Sequence, residues 1–292
     1  MKALIFIETK DGSPIGTSLE LFTAAKEIGA ETAAVSVNAK EGVLEEDLVA
    51  AALADKAKEI SADVILLSAT TLGKLVAGRV AGRLGGGSVN DAIAIAAEDG
   101  KIVATRPVYG GTIREKIVVQ ASPAVISIRG GSYEAPEEAP AAEAIDGADA
   151  DIRTKVVELI EEAGEAVNLE DAAIIVTGGR GMGDEENFGL CAQLADALGG
   201  VVGATRPAIE NGWIGRSHQV GQSGKIVNPD LYIACGVSGA TQHVSGMMGS
   251  KYIIAINKDE DAPIFSIADI GIVGDVKQIL PLMIEEVQKR KA

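Results

Sequence analysis

The chain has 292 residues, enough for two domains of ordinary size. It carries 42 acidic and 26 basic side chains, a net charge of -16, which repels nucleic-acid backbones and anionic bilayers. Hydrophobic residues make up 47% and aromatics only 3%, with 35 glycines; this aliphatic, Gly-rich composition suits buried parallel strands under helices.

Residues 3–7 are a short apolar run that predicts a buried strand. Glu8, Lys10 and Asp11 cut it too early for a signal peptide. Helical spacing over 16–28 sets Leu19, Phe22 and Ala25 on one side and ends at Gly29. A strand over 32–37, a helix over 45–60, a strand over 64–67 and a helix over 72–84 follow, the last closed by Gly85-Gly86-Gly87. This rhythm predicts right-handed βαβ units on a parallel sheet. Residues 102–105, 108–120 and 124–128 are β-rich with no room for helices, and predict hairpin strands that extend the sheet antiparallel.

Pro, Ala and acidic residues dominate 131–151, which reads as a linker, and 152–163 reads as an amphipathic bridging helix. A second strand–helix series starts at Ala172: a strand, a glycine-rich turn, a helix over 184–198, and strands over 231–234, 252–256 and 270–273. A helix over 276–290, with Pro281 inside it, closes the chain. The expected fold is α/β: two three-layer α/β/α domains with mostly parallel sheets. They are a scaffold domain over 1–130, a linker and bridging helix over 131–170, and a doubly wound domain over 171–292. Cys191 and Cys235 have no CxxC neighbour and read as small core residues of a reducing compartment, the cytoplasm. No stretch approaches a membrane span.

Polar groups recur after the apolar strands, where ligands bind on open α/β sheets. Thr177-Gly178-Gly179-Arg180-Gly181-Met182-Gly183 follows a strand and opens a helix; it suits a phosphate or is a plain tight turn. It is neither the dinucleotide fingerprint nor a P-loop. Val220-Gly221-Gln222-Ser223-Gly224-Lys225 offers an amide and a hydroxyl to a heteroaromatic edge, or is a hairpin turn. Gly236-Val237-Ser238-Gly239-Ala240-Thr241-Gln242-His243 offers backbone N–H groups, a hydroxyl, an amide and an imidazole. Asn257 and Asp275 end two later strands. No metal-ligand set, Ser-His-Asp order or paired-carboxylate motif appears, so hydrolysis has no visible machinery.

Together these segments resemble the α subunit of electron transfer flavoproteins. The run from Leu231 to His243, then Gly246-Met247, Ala255-Ile256-Asn257-Lys258-Asp259, Ala262-Pro263-Ile264-Phe265 and Ala268-Asp269, is similar to that family's signature in order and spacing. Gly178-Gly179-Arg180-Gly181, Val202-Gly203-Ala204-Thr205-Arg206 and Gln219 to Lys225 also match. The resemblance is dense from about 172 to 275 and looser over 1–130.

The resemblance implies one FAD on the second domain, in a cleft shared with a β subunit. Electrons would pass between acyl-CoA or other flavin dehydrogenases and downstream acceptors. Arg180 would meet the pyrophosphate, and Thr205 and Arg206 the reactive side of the ring. Val220, Gly221, Gln222 and Ser223 would flank the ring. Ser238, Gly239, Ala240, Thr241, Gln242 and His243 would wrap the phosphate, ribityl and ring edge. Asn257, Asp275 and Val276 would hold the adenosine end. Thr205 and Ser223 stand where the family commonly has Ser and Thr, and both keep a hydroxyl. Arg206 is expected to raise the flavin's first reduction potential, and His243 to add a hydrogen bond or charge. Two alternatives accompany this reading: a subunit of an NADH-dependent bifurcating complex, and a non-redox adenine-nucleotide-binding module.

Overall fold

The computed structural model describes residues 1–291 except 11, 39, 41, 42, 139, 148–155 and 159–167. The helix predicted over 152–163 therefore lies, apart from 156–158, outside the described residues. The chain divides into two compact units, Met1–Glu161 and Glu162–Ala292.

The first unit runs β1 (Lys2–Phe6), a short hairpin of β2 (Thr9–Lys10) and β3 (Ser13–Pro14), α1 (Gly16–Glu27), β4 (Glu31–Asn38), α2 (Glu45–Ile60), β5 (Val64–Ser68) and α3 (Thr71–Leu84). It continues with β6 (Gly87–Ala92), β7 (Ala94–Glu98), β8 (Lys101–Val108), β9 (Ile113–Val118), β10 (Ala124–Ile128) and β11 (Glu143–Asp146). Six strands form an all-parallel sheet in the order β11-β4-β1-β5-β10-β6. Neighbouring residues point to opposite faces of it. Ile5, Leu66 and Ile126 pack with Leu21 of α1, while Leu4, Ile65 and Val125 pack with Leu53 of α2 and Val80 of α3. Both faces are covered, which is why these strands read as unbroken apolar runs.

Three features differ from the expectation. β10 does not extend the sheet antiparallel; it lies parallel between β5 and β6, because all five of its residues are buried and a two-faced strand belongs inside the sheet. β7, β8 and β9 form their own antiparallel three-stranded sheet. The stretch read as linker contains β11, which pairs parallel with β4 along the sheet edge. Only Ile145 of β11 is drawn toward the core, so the strand leaves no apolar alternation to read.

The second unit holds β12 (Ile174–Gly178), α4 (Glu185–Leu198), β13 (Val201–Ala204), α5 (Arg206–Glu210), β14 (Leu231–Cys235), α6 (Thr241–Val244), β15 (Tyr252–Asn257), β16 (Ile270–Val273) and α7 (Val276–Lys291). α4 starts where Asp184 caps it, its carboxylate accepting from the Asn187 N–H at 2.8 Å. It stops at Gly199, whose φ of +76° ends the helix in the left-handed region. The five strands are all parallel, in the order β13-β12-β14-β15-β16. Phe188 and Leu194 of α4 and Leu280 and Ile284 of α7 cover one face. Tyr232, Val237, Met247 and Ile264 fill the other, under loops and short helical turns. Connections leave β12 toward β13 and β14 toward β15, in opposite directions. The order therefore reverses between β12 and β14, and a crevice opens beyond their carboxyl ends. No described helix in either unit is long and apolar enough to cross a membrane.

Candidate cofactor site

The crevice between β12 and β14 opens into a cavity of about 620 Å³, within the range of small-molecule and cofactor sites. Its floor is backbone packed on backbone. The Gly179 N–H donates to the Cys235 carbonyl at 2.9 Å, and the Gly181 N–H to the Gly236 carbonyl at 2.9 Å. A Cβ at Gly179 would fall 2.4 Å from the Gly236 oxygen, and one at Gly236, where φ is +61°, 2.8 Å from the Gly181 carbonyl carbon. Only glycine fits this crossing. One wall is the 219–225 turn, held by Val220 N–H to Ala204 O at 2.9 Å and Lys225 N–H to Gln219 O at 2.8 Å. A third bond, Gln222 N–H to Gln242 O at 2.7 Å, ties that turn to α6.

Twelve of the residues singled out in the sequence line the cavity. They are Arg180, Thr205, Arg206, Val220, Gly221, Gln222, Ser223, Ser238, Ala240, Gln242, His243 and Asn257. Gly239 and Thr241 belong to the same loop without lining it. Gly239 has a φ of +88°, and a Cβ there would sit 2.3 Å from the Ile264 nitrogen, so it seats the loop on the turn Pro263–Ser266. Asp275 and Val276 also do not line it. Asp275 caps α7, accepting from the Lys277 N–H at 2.9 Å, and Val276, the first residue of α7, is buried in the core. The structure adds Gln219, Pro207, Val237, Asp259, Ala262 and Pro263 to the lining.

Four side chains decide what the cavity can hold. Thr205 is buried, and its Oγ1 has no hydrogen-bond partner among the described residues. A buried hydroxyl without a partner costs free energy unless a ligand supplies one. Gln219 donates from Nε2 to Ser223 Oγ at 2.9 Å, which leaves the Ser223 hydrogen for another acceptor. Arg206 projects from the first turn of α5, 68% exposed, with its Nε 2.7 Å from Glu210.

Two expectations change. His243 is buried, with Nδ1 3.0 Å from the Val220 carbonyl and Nε2 3.0 Å from the Tyr232 hydroxyl. Burial pushes its pKa down to about 4, and the bond to Val220 opposes this only partly. The imidazole is therefore neutral at neutral pH with both nitrogens occupied, and the charge expected of it is withdrawn. Asn257 spends its side chain inside the protein: Nδ2 donates to Val237 O at 2.9 Å, and Oδ1 accepts from the Asp259 N–H at 3.1 Å. It fixes the loop after β14 to the end of β15.

Residues 168–248 match the family model described as the electron transfer flavoprotein FAD-binding domain, and 38–154 match the electron transfer flavoprotein domain. Over 325 residues the chain is 38% identical to the electron transfer flavoprotein subunit alpha of Thermoanaerobacterium thermosaccharolyticum, covering 98% of each chain. This chain belongs to the electron transfer flavoprotein α-subunit family. It is also 48% identical to the subunit alpha of Megasphaera elsdenii, over 78% of this chain and 71% of that one. With the subunit alpha of Bacillus subtilis it shares 42%, over 77% and 70%. The FAD-binding match spans the crossing glycines, the 219–225 turn and the 236–243 loop, which are three sides of the cavity. FAD is thus the cofactor of this α subunit, and electron transfer its function. The residues present fit that group: a buried hydroxyl with no partner among the described residues, and two arginines for negative charge.

Proposed function

We propose that the cavity between β12 and β14 holds the FAD of an αβ flavoprotein. That pair would accept electrons from acyl-CoA or other flavin dehydrogenases and pass them to a downstream acceptor. The observation that carries the reading is Thr205 Oγ1, buried and without a partner among the described residues, in the wall of the crevice at the switch point of this sheet. Bound FAD supplies reversible electron uptake, with negative charge growing on its ring as it is reduced.

The chain's own groups bind, orient and shield. Arg180 meets phosphate oxygens beside the Gly179–Gly181 backbone. Thr205 and Ser223 donate hydroxyl hydrogens to the ring edge, and Gln222 orients it. Arg206 places a permanent positive charge where negative charge develops, favouring the reduced form. Ser238, Gly239, Ala240, Thr241 and Gln242 frame the chain of the cofactor, and Val220, Val237, Ala262 and Pro263 keep water from it. Asn257, Asp275 and Val276 serve by holding the strand ends in place at the adenosine side.

Residues 1–130 are assigned the docking of a β subunit, 131–170 the connection, and 171–292 the cofactor. The corresponding crevice of the first unit, beyond β1 and β5, is crossed by a 2.7 Å bond from Thr70 to Glu8, which supports a scaffold role there. Two buried, unpaired cysteines fit a cytoplasmic location. The test is a flavin count on the co-expressed αβ pair. One FAD per pair, lost with Gly236→Val, supports the proposal. A colourless pair that binds ATP contradicts it, and two flavins per pair assign the second to the partner and make the complex a bifurcating one.

A further inference from the structure

The phenol of Tyr232 lies deep in β14, fully buried, with its oxygen 3.0 Å from His243 Nε2. The other ring nitrogen, Nδ1, lies 3.0 Å from the Val220 carbonyl. A carbonyl only accepts, so Nδ1 carries the hydrogen. A neutral imidazole has one N–H, so Nε2 presents a lone pair, and the Tyr232 hydroxyl must donate to it. Burial pushes the phenol's pKa well up, so that hydrogen stays in place across the working pH range. The three groups thus form a directed chain: Tyr232 O–H to His243 Nε2, and His243 Nδ1–H to Val220 O.

This chain ends at the wall of the cavity. Val220 and Gly221 begin the turn that presents Gln222 and Ser223, and both line the site. Gly221 has a φ of +139°, and a Cβ on Gly246 would fall 2.5 Å from its nitrogen and its Cα. The turn is therefore wedged between backbone on one side and the imidazole bond on the other. Tyr232 itself does not line the cavity.

We propose that Tyr232 is a positioning residue for the cofactor site: the Val220 carbonyl selects the Nδ1–H tautomer, and Tyr232, by donating to Nε2, holds the ring in the orientation that keeps that N–H on Val220 and clamps the 220–223 turn. The inference rests on the reading that this cavity holds FAD. Without the hydroxyl, Nε2 loses its donor, the ring is free to turn, and the Val220 clamp loosens.

The experiment uses the αβ pair with ¹⁵N-labelled histidine, first free of FAD and then titrated with it. In wild type, His243 shows a protonated Nδ1 and an unprotonated Nε2, with no titration between pH 5.5 and 8. FAD addition shifts its resonances. Tyr232→Phe shifts the Nε2 resonance, which loses its donor, and broadens the Nδ1–H signal in the FAD-free pair as the ring turns, and it weakens FAD binding about tenfold, the scale of one hydrogen bond. His243→Asn, which keeps a donor for Val220 but cannot reach Tyr232, makes Tyr232→Phe silent for FAD affinity when the two are combined. Additive losses in the double variant, or an Nδ1–H signal in Tyr232→Phe as sharp as in wild type, overturn the role of Tyr232. FAD that binds without moving the His243 resonances overturns the cavity reading and this inference together, so the two failures are told apart.

Discussion

Nε of Arg206 lies 2.7 Å from Oε1 of Glu210, one turn along α5, with both side chains more than half exposed. Such a pair adds little to stability. Its consequence is electrostatic: the one arginine placed beside Thr205 at the cavity mouth has its charge partly offset by its own helix.

Arg206→Ala lowers the flavin's first reduction potential. The shift is tens of millivolts, since a charge near the ring in partly solvated surroundings is worth about 1–2 kcal/mol. A redox titration of the αβ pair reads it, and an unshifted potential removes Arg206 from the tuning role.

Glu210→Gln moves the same potential upward, by less, because the arginine is already half hydrated. If it moves the potential down or leaves it unchanged while Arg206→Ala acts, the ion pair does not moderate the arginine.

Thr205→Val removes a buried hydroxyl that has no partner among the described residues. The melting temperature of the FAD-free pair stays level or rises, while FAD binding weakens by about 1 kcal/mol, the scale of one net hydrogen bond. Equal affinity in the two proteins would mean that the hydroxyl faces no acceptor on the cofactor.

His243 makes the second unit sensitive to acid. Its folded pKa is pushed to about 4 from an ordinary value of 6.5, so the unfolded chain takes up the proton first as pH falls. The stability tied to the neutral ring is complete above pH 6.5. It declines between 6.5 and about 4, by about 3 kcal/mol at most. Urea melts of wild type and His243→Asn across that window should converge toward low pH; parallel curves would mean that the ring is not held neutral.

The second sheet was legible because its strands are unbroken apolar runs with polar groups just beyond them. β16 is found at the predicted 270–273, and α7 runs on through Pro281. The loops after the strands came from the rule that ligands lie past strand carboxyl ends, while Thr205, Arg206 and the individual roles came from the family resemblance; most of these residues line one cavity. Asp275 obeys the same rule yet caps a helix, since a carboxylate before a helical pattern serves either purpose. Asp259, Ala262 and Pro263 fall in the segments that resemble the family signature but had no contact assigned to them; they line the cavity beside Asn257, which ties two loops together. In the first unit β6 was missed: Gly87-Ser88-Val89-Asn90-Asp91-Ala92 has only Val89 and Ala92 buried, and it exists because β10 offers it an edge. The neutrality of His243 was beyond reach, because it depends on Tyr232 and Val220, separated by 11 and 23 residues.

Where the flavin sits decides between this account and any other, and a crystal structure of the yellow αβ pair locates it. The ring should lie against Thr205 and the 220–223 turn, with Arg180 and the Gly179–Gly181 backbone at the phosphates. A flavin on the first unit, or one held wholly by the partner with this cavity left to solvent, would contradict it.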